Sequence, residues 1–213
     1  MRDQYYEQLD SIVDDLVALT NRVRRAVGGA TTALLEADAQ VAESVIAGDK
    51  LIDEATEAIE ERALLLLATQ QPVATDLRQL VATLRMVADL DRMGDLSVHI
   101  AKVARMRMPD SAVPETLRPT IVKMAVVADQ MIDAASRIVA NRDVVAAARL
   151  EDEDDEMDQL RRSLFRTLLS DDWGHGVEPA IDLALLGRYY ERIGDHAVSM
   201  ARRVVYLVTG ELK

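Results

Sequence analysis

The chain has 213 residues, 49% of them apolar, no cysteine and a formal charge of −12. That length supports one domain or two small ones around a real core, and the absence of thiols excludes disulfides, thiolate metal sites and cysteine nucleophiles. The negative charge argues against a nucleic-acid backbone or an anionic lipid surface as the main ligand, because phosphate recognition needs clustered Lys and Arg.

Residues 4–36 predict a long amphipathic helix, with Leu9, Ile12, Val13, Leu16, Leu19, Val23, Val27 and Leu34 at helical spacing. Gly28 and Gly29 are expected to loosen its last third. A short helix is expected over 38–47, with Gly48-Asp49 as a stop and a new N-terminus, and a further helix to Gln70. Pro72 marks a turn, and the next helix spans about 73–108. Pro109, Pro114 and Pro119 form the one clearly punctuated stretch, which sets the boundary between a first unit, 1–108, and a second, 116–213, joined by 109–115.

The second unit repeats the order: a helix over 116–141, a short piece to Leu150, a helix over 151–170, a loop at 171–176 and a helix over 177–209. Its charge matches too, since residues 1–108 carry 12 basic and 18 acidic side chains and residues 109–213 carry 13 and 19, a net −6 each. With 3% aromatic residues and a composition rich in Ala, Leu, Val, Glu, Asp and Arg, the chain is expected to be all-α, two three-helix bundles in tandem. The N-terminus lacks an apolar signal core and no run approaches the ~20 apolar residues of a membrane span, so a cytoplasmic protein is expected.

The two units share a word. Leu90-Asp91-Arg92-Met93-Gly94-Asp95 returns one hundred residues later as Tyr190-Glu191-Arg192-Ile193-Gly194-Asp195. On a helix, acids four apart project from one face. Like charges there repel, which calls for a basic partner or a cation held by oxygen ligands. The preceding helices carry a second pair, Asp49 with Asp53 and Asp154 with Asp158. Counting back from each hairpin turn sets Asp49 level with Gly94 and Asp53 with Leu90, and sets Asp154 level with Ile193 and Asp158 with Tyr189. Each unit therefore brings four carboxylates together from two helices, the arrangement by which bundles build carboxylate metal sites.

A plain solvated face is the competing explanation of any single acid pair. Against it, Asp91 and Asp95 share their side of the helix with Leu84 and Val98, away from the core stripe of Met86, Leu90, Met93 and Ile100. A mid-helix glycine costs ~1 kcal/mol against alanine, so the repeated Gly94 and Gly194 point to close packing or to space beside the acids. Arg92 and Arg192 are expected to pair with neighbouring acids. Oxygen ligands without Cys favour Mg, Mn, Fe or Zn. His99, four residues after Asp95, is a candidate nitrogen ligand with no counterpart at Ser199; His196 is a weaker candidate, and His175 lies in a Gly-containing loop and is expected to be exposed.

These words, together with Gly48-Asp49-Lys50-Leu51-Ile52-Asp53 and Gln71-Pro72-Val73-Ala74-Thr75-Asp76-Leu77-Arg78, resemble the PhoU family of phosphate-specific transport accessory and regulatory proteins, over about residues 5–210. The resemblance implies two similar three-helix bundles, commonly a homodimer, with acidic motifs that bind multinuclear metal clusters on the bundle surface. It implies a cytoplasmic negative regulator of the phosphate-starvation response that links the ATPase of a phosphate importer to a membrane sensor histidine kinase. Carried over by position, one metal site takes Asp49, Asp53, Asp91 and Asp95, and the other Asp154, Asp158, Glu191 and Asp195. Two departures stand out: Asp91 is a methylene shorter than Glu191, and Asp155 and Glu156 compete with Asp154.

Two other functions fit an acidic bundle. A ferritin-like di-metal enzyme needs Glu-x-x-His on two helices, and the chain has none, because His99 falls four after Asp95 and Gly194 falls three after Glu191. A metal-free helical scaffold would use its acids for solubility alone. No general base beside an activated nucleophile and no Gly-rich phosphate loop is evident, so a non-enzymatic regulator is expected.

Overall fold

The computed structural model describes residues 2–211, leaving Met1, Leu212 and Lys213 of the expected units outside the described residues. The described residues form six α-helices: α1 (Arg2–Glu36), α2 (Ala39–Gln70), α3 (Ala74–Arg107), α4 (Arg118–Asn141), α5 (Val144–Leu168) and α6 (Val177–Thr209), with a 3₁₀ turn at Glu115–Leu117 before α4. There is no strand among the described residues. Helices α1 to α3 form one bundle and α4 to α6 the other; α1 packs on α4 and α3 on α6, so the two bundles share one continuous core.

Two expected breaks do not occur. Helix α2 runs unbroken through Gly48, because its N-cap is Asp38, which accepts hydrogen bonds from the backbone N–H of Gln40 at 2.9 Å and of Val41 at 3.0 Å. Asp49 is therefore not a cap, and the burial of Ala42 and Ile52 on either side of Gly48 holds the helix across it. Helix α5 likewise starts at Val144 under an Asp143 cap and continues through Leu150, which is fully buried. Gly28 and Gly29 do not loosen α1 either. A Cβ on Gly29 would stand 3.0 Å from the Val45 methyl of α2, so this glycine permits close helix packing that offsets its propensity cost.

The α1 stripe of Leu9, Ile12, Leu16, Leu19, Val23, Val27 and Leu34 is buried as expected from its spacing, as are Met86, Leu90, Met93 and Ile100 of α3. Across the seam the helices run antiparallel. Arg24 of α1 forks onto Asp129 of α4 at 2.6 and 2.7 Å and also reaches Asp133, while Arg118 at the start of α4 reaches Glu36 at the end of α1 at 2.5 Å. Arg107 at the end of α3 grips Asp182 near the start of α6, with Nε 2.5 Å from Oδ2.

The α3–α6 crossing has a further regularity. Ser199 donates to Asp89 at 2.9 Å, and the His99 ring stacks on Tyr189 at 5.4 Å. Residues 89 and 189, and 99 and 199, occupy matching places in the two repeats, so these are one contact made twice about a pseudo-twofold axis. That axis passes at the level shared by Gly94 and Gly194, whose closest approaches are instead to α2 for Gly94 and to α4 and α5 for Gly194, so each acid word looks outward onto its own bundle.

Candidate metal centre

In the first repeat, α2 supplies Asp49 and Asp53 and α3 supplies Asp91 and Asp95. Gly94 is what lets them meet: a Cβ there would lie 3.5 Å from Asp49 Oδ1 and 3.1 Å from the Ile52 Cγ2 methyl. Partial burial pushes the Asp49 carboxyl above its usual range, and the charges of Asp53, Asp95 and Asp91 push it further against an opposing Lys102. Asp91 is raised by burial and by Asp95, with Arg92 opposing and Asp53 adding. The four acids expected to converge thus face one another electrostatically.

The second repeat is built the same way from α5 and α6. A Cβ on Gly194 would lie 3.3 Å from Asp154 Oδ1 and 3.1 Å from Met131 Sδ, so this glycine too both admits a close neighbour and leaves room for an acid. Asp154 faces Gly194, one residue beyond the level counted from the hairpin. Burial, then Asp195, Asp158 and Glu191, push Asp154 up to about 6, with Arg202 opposing. Glu191 is raised by burial and Asp195, with Arg188 and Arg161 opposing. Of the competing acids, Glu156 pairs with Lys123 of α4 at 2.9 Å and Asp155 is exposed, which leaves Asp154 as the one that faces α6.

The carboxylates do not yet close around one point. Among the described residues no three Asp, Glu or His side chains stand close enough to share a metal ion. Instead several turn to arginines: Arg92 donates to Asp95 at 2.8 Å, Arg162 to Asp158 at 2.7 Å, and Arg188 to Glu191, with Arg161 3.4 Å from the same Glu191. Arg192, expected to pair like Arg92, is exposed and makes no ion pair with a described residue. The donor set nonetheless fits an oxygen-preferring cation: four carboxylates per repeat on two facing helices, a glycine at the closest approach, and mutual repulsion that a cation would relieve.

Histidine adds nothing to either cluster. His99 is occupied by its stack on Tyr189, and His196 Nδ1 lies 2.9 Å from Asp89 Oδ1 in the α3–α6 seam. His175 is exposed in the loop as expected, edge-on to Trp173 with ring centroids 4.9 Å apart. The residues that sequence reasoning passed over are Arg161, Arg162 and Arg188. The spacing of Asp158 to Arg162 and of Arg188 to Glu191, four and three residues on a helix, was a readable signal for two of them; Arg161 reaches Glu191 from another helix and carried none.

Comparison with known proteins gives the same two-fold division. The family model described as the PhoU domain matches residues 16–104 and again 121–204. The phosphate-specific transport system accessory protein PhoU homolog 2 of Mycobacterium tuberculosis is 44% identical over 210 residues, covering 99% of this chain and 99% of that protein. The PhoU homolog 1 of Mycobacterium leprae is 43% identical, covering 99% of this chain and 95% of its own. Among solved structures, PhoU of Pseudomonas aeruginosa superposes with a TM-score of 0.88 at 27% identity, over 97% of this chain and 100% of that one. The phosphate transport system regulatory protein PhoU of Streptococcus pneumoniae gives 0.90 at 25% identity, over 98% and 99%.

Proposed function

The chain belongs to the PhoU family, and from that premise we propose that it is a non-enzymatic accessory protein of a phosphate-specific transport system that represses the phosphate-starvation response when phosphate is plentiful. The observation that carries this reading is the match, end to end and domain by domain, to accessory proteins of that system. In this role it couples the importer's ATPase to a sensor histidine kinase, acting from the cytoplasm as a homodimer. No described helix is long and apolar enough to cross a membrane, so contact with membrane proteins runs through docking.

The metal reading belongs to the same proposal. Asp49, Asp53, Asp91 and Asp95 would hold the cation of the first repeat, and Asp154, Asp158, Glu191 and Asp195 that of the second. Bound there, Mg, Mn, Fe or Zn would cancel like charge and stiffen the facing helix pair. What supports this is that Gly94 and Gly194 leave room beside Asp49 and Asp154.

Deleting the gene is expected to switch on a phosphate-starvation reporter in phosphate-rich medium, and complementation with the intact gene to silence it again. The tagged chain is expected to retain the transporter ATPase and the kinase in a pull-down. Unchanged reporter output together with an empty pull-down would refute the regulatory reading.

A further inference from the structure

Resting on the metal reading above, we propose that the two acid centres are unequal: the first repeat is the cation site, and in the second the chain's own guanidinium groups hold two of the four ligand carboxylates and weaken cation binding. The duplicated motif conceals this, because all eight acids are present. The difference lies in what stands beside them.

In the second repeat Glu191 has only 8% of its side chain exposed and lies between two arginines, Arg188 on its own helix and Arg161 of α5 at 3.4 Å. Asp158 is bonded to Arg162 at 2.7 Å, an i,i+4 pair with side chains 59% and 35% exposed that adds a smaller share than the contacts to Glu191. Matching positions follow from the repeat itself: Asp154 corresponds to Asp49, and Glu191 to Asp91. Arg161, Arg162 and Arg188 then correspond to Thr56, Glu57 and Ala88 in the first repeat. None of the three is basic. A more distant cation stands at the matching position in both, Lys102 opposing Asp49 in one and Arg202 opposing Asp154 in the other. Among the described residues, the one direct guanidinium contact to the first repeat's four ligand acids is Arg92 on Asp95, whose side chains are 65% and 46% exposed and therefore weakly held.

A cation entering the second site must displace arginines from a nearly buried Glu191, leaving those guanidinium groups to find water or another acid. One entering the first site displaces a single solvent-exposed arginine. Arg188 donates to Glu191 while the Arg161 guanidinium stands beside it as a second charge without a hydrogen bond, and a charge-assisted bond to a nearly buried carboxylate is among the stronger side-chain interactions. Asp154 and Asp195 remain outside the arginines' grip, so the second site retains two carboxylates and a residual, weaker affinity. Repeat one presents Asp49, Asp53 and Asp91 without a bonded guanidinium.

Tag-free, full-length protein stripped of metal would be titrated with Mn²⁺, with free ion followed by electron paramagnetic resonance. Two classes of site are expected, separated by about tenfold or more in affinity. Asp49→Asn with Asp91→Asn removes the tighter class; Asp154→Asn with Asp195→Asn leaves it intact. Replacing the arginines by their first-repeat counterparts, Arg161→Thr with Arg162→Glu and Arg188→Ala, tightens the weaker class by about tenfold. Arg188→Ala alone, at a half-exposed position, moves it the same way should the triple variant misfold by circular dichroism. Equal affinities, loss of the tighter class on changing the second repeat, or no tightening in the arginine variants would overturn the inequality while sparing the metal reading. No Mn²⁺ bound to either repeat would overturn both.

Discussion

The two acid clusters sit on one scaffold and differ in their surroundings. Both have an acid pair on each of two antiparallel helices, a glycine where the helices come closest, and a more distant basic residue at matching positions, Lys102 or Arg202. In the first, the glycine faces the stiff, β-branched Ile52 and the acids mostly face one another. In the second, the glycine faces the pliable Met131, and arginines reach Glu191 and Asp158. A duplicated backbone thus preserves positions without preserving charge balance, because position is set by the helices' core faces and charge balance by the basic residues beside the acids, which differ between the two repeats.

The largest expected departure from symmetry lies at the end of the α3–α6 seam. Arg107 holds Asp182, whose side chain is only 6% exposed, whereas the residues one hundred positions away are Leu207 and Ala82, both buried. Arg107→Leu leaves a buried carboxylate unpaired and should lower the thermal midpoint by on the order of 5 °C. Adding Asp182→Ala recreates the apolar pair of the other repeat and should recover most of that loss. A double variant no more stable than Arg107→Leu would show that the two ends of the seam are not interchangeable.

Next come the glycines. Alanine gains ~1 kcal/mol in helix propensity at either position, so the sign depends on the neighbour. Met131 can swing aside from Gly194→Ala, which is expected to be neutral or slightly stabilising. Ile52 has little rotamer freedom, and Gly94→Ala is expected to cost about 1 kcal/mol net. Chemical denaturation of both variants measures the difference, and equal effects would erase the proposed contrast in packing.

The smallest effect is the acids' own repulsion in metal-free protein. Asp154 is raised from 3.8 to about 6 on folding, so the folded chain binds the proton more tightly. That group's contribution is most favourable below the unfolded value and declines as pH rises through 6. Asp154→Asn should remove the penalty, raising stability at pH 7 by roughly 1 kcal/mol after solvent screening, and should flatten the pH dependence between about 4 and 6. Asp49→Asn should act in the same direction and more weakly. Thermal melts across that range give the comparison, and a Asp154→Asn chain that melts lower at neutral pH would contradict it.

Much of this was legible in the residues. The all-α fold, the tandem bundles and the α6 limits followed from apolar spacing and from glycine and proline placement. Counting from the hairpin turns found that Asp49 meets Gly94, and missed the Asp154 level by a single residue. The errors were equally physical. Gly48-Asp49 reads as a helix stop and cap because those residue types suit such positions, yet Asp38 already capped the helix and the buried residues flanking Gly48 carried it through.

The sequence by itself determined the duplication, the helix faces and the eight acids, because local periodicity is set by helical geometry and needs no partner. Only tertiary structure decided that the two acid words flank one antiparallel helix pair in register at Gly94 and Gly194. It alone brought Arg161 of one helix to Glu191 of another and engaged His99 and His196 in the seam. The physical reason is that hydrophobic burial chooses which helices meet, and the charges on their outer faces then find whatever partners that choice brings within reach.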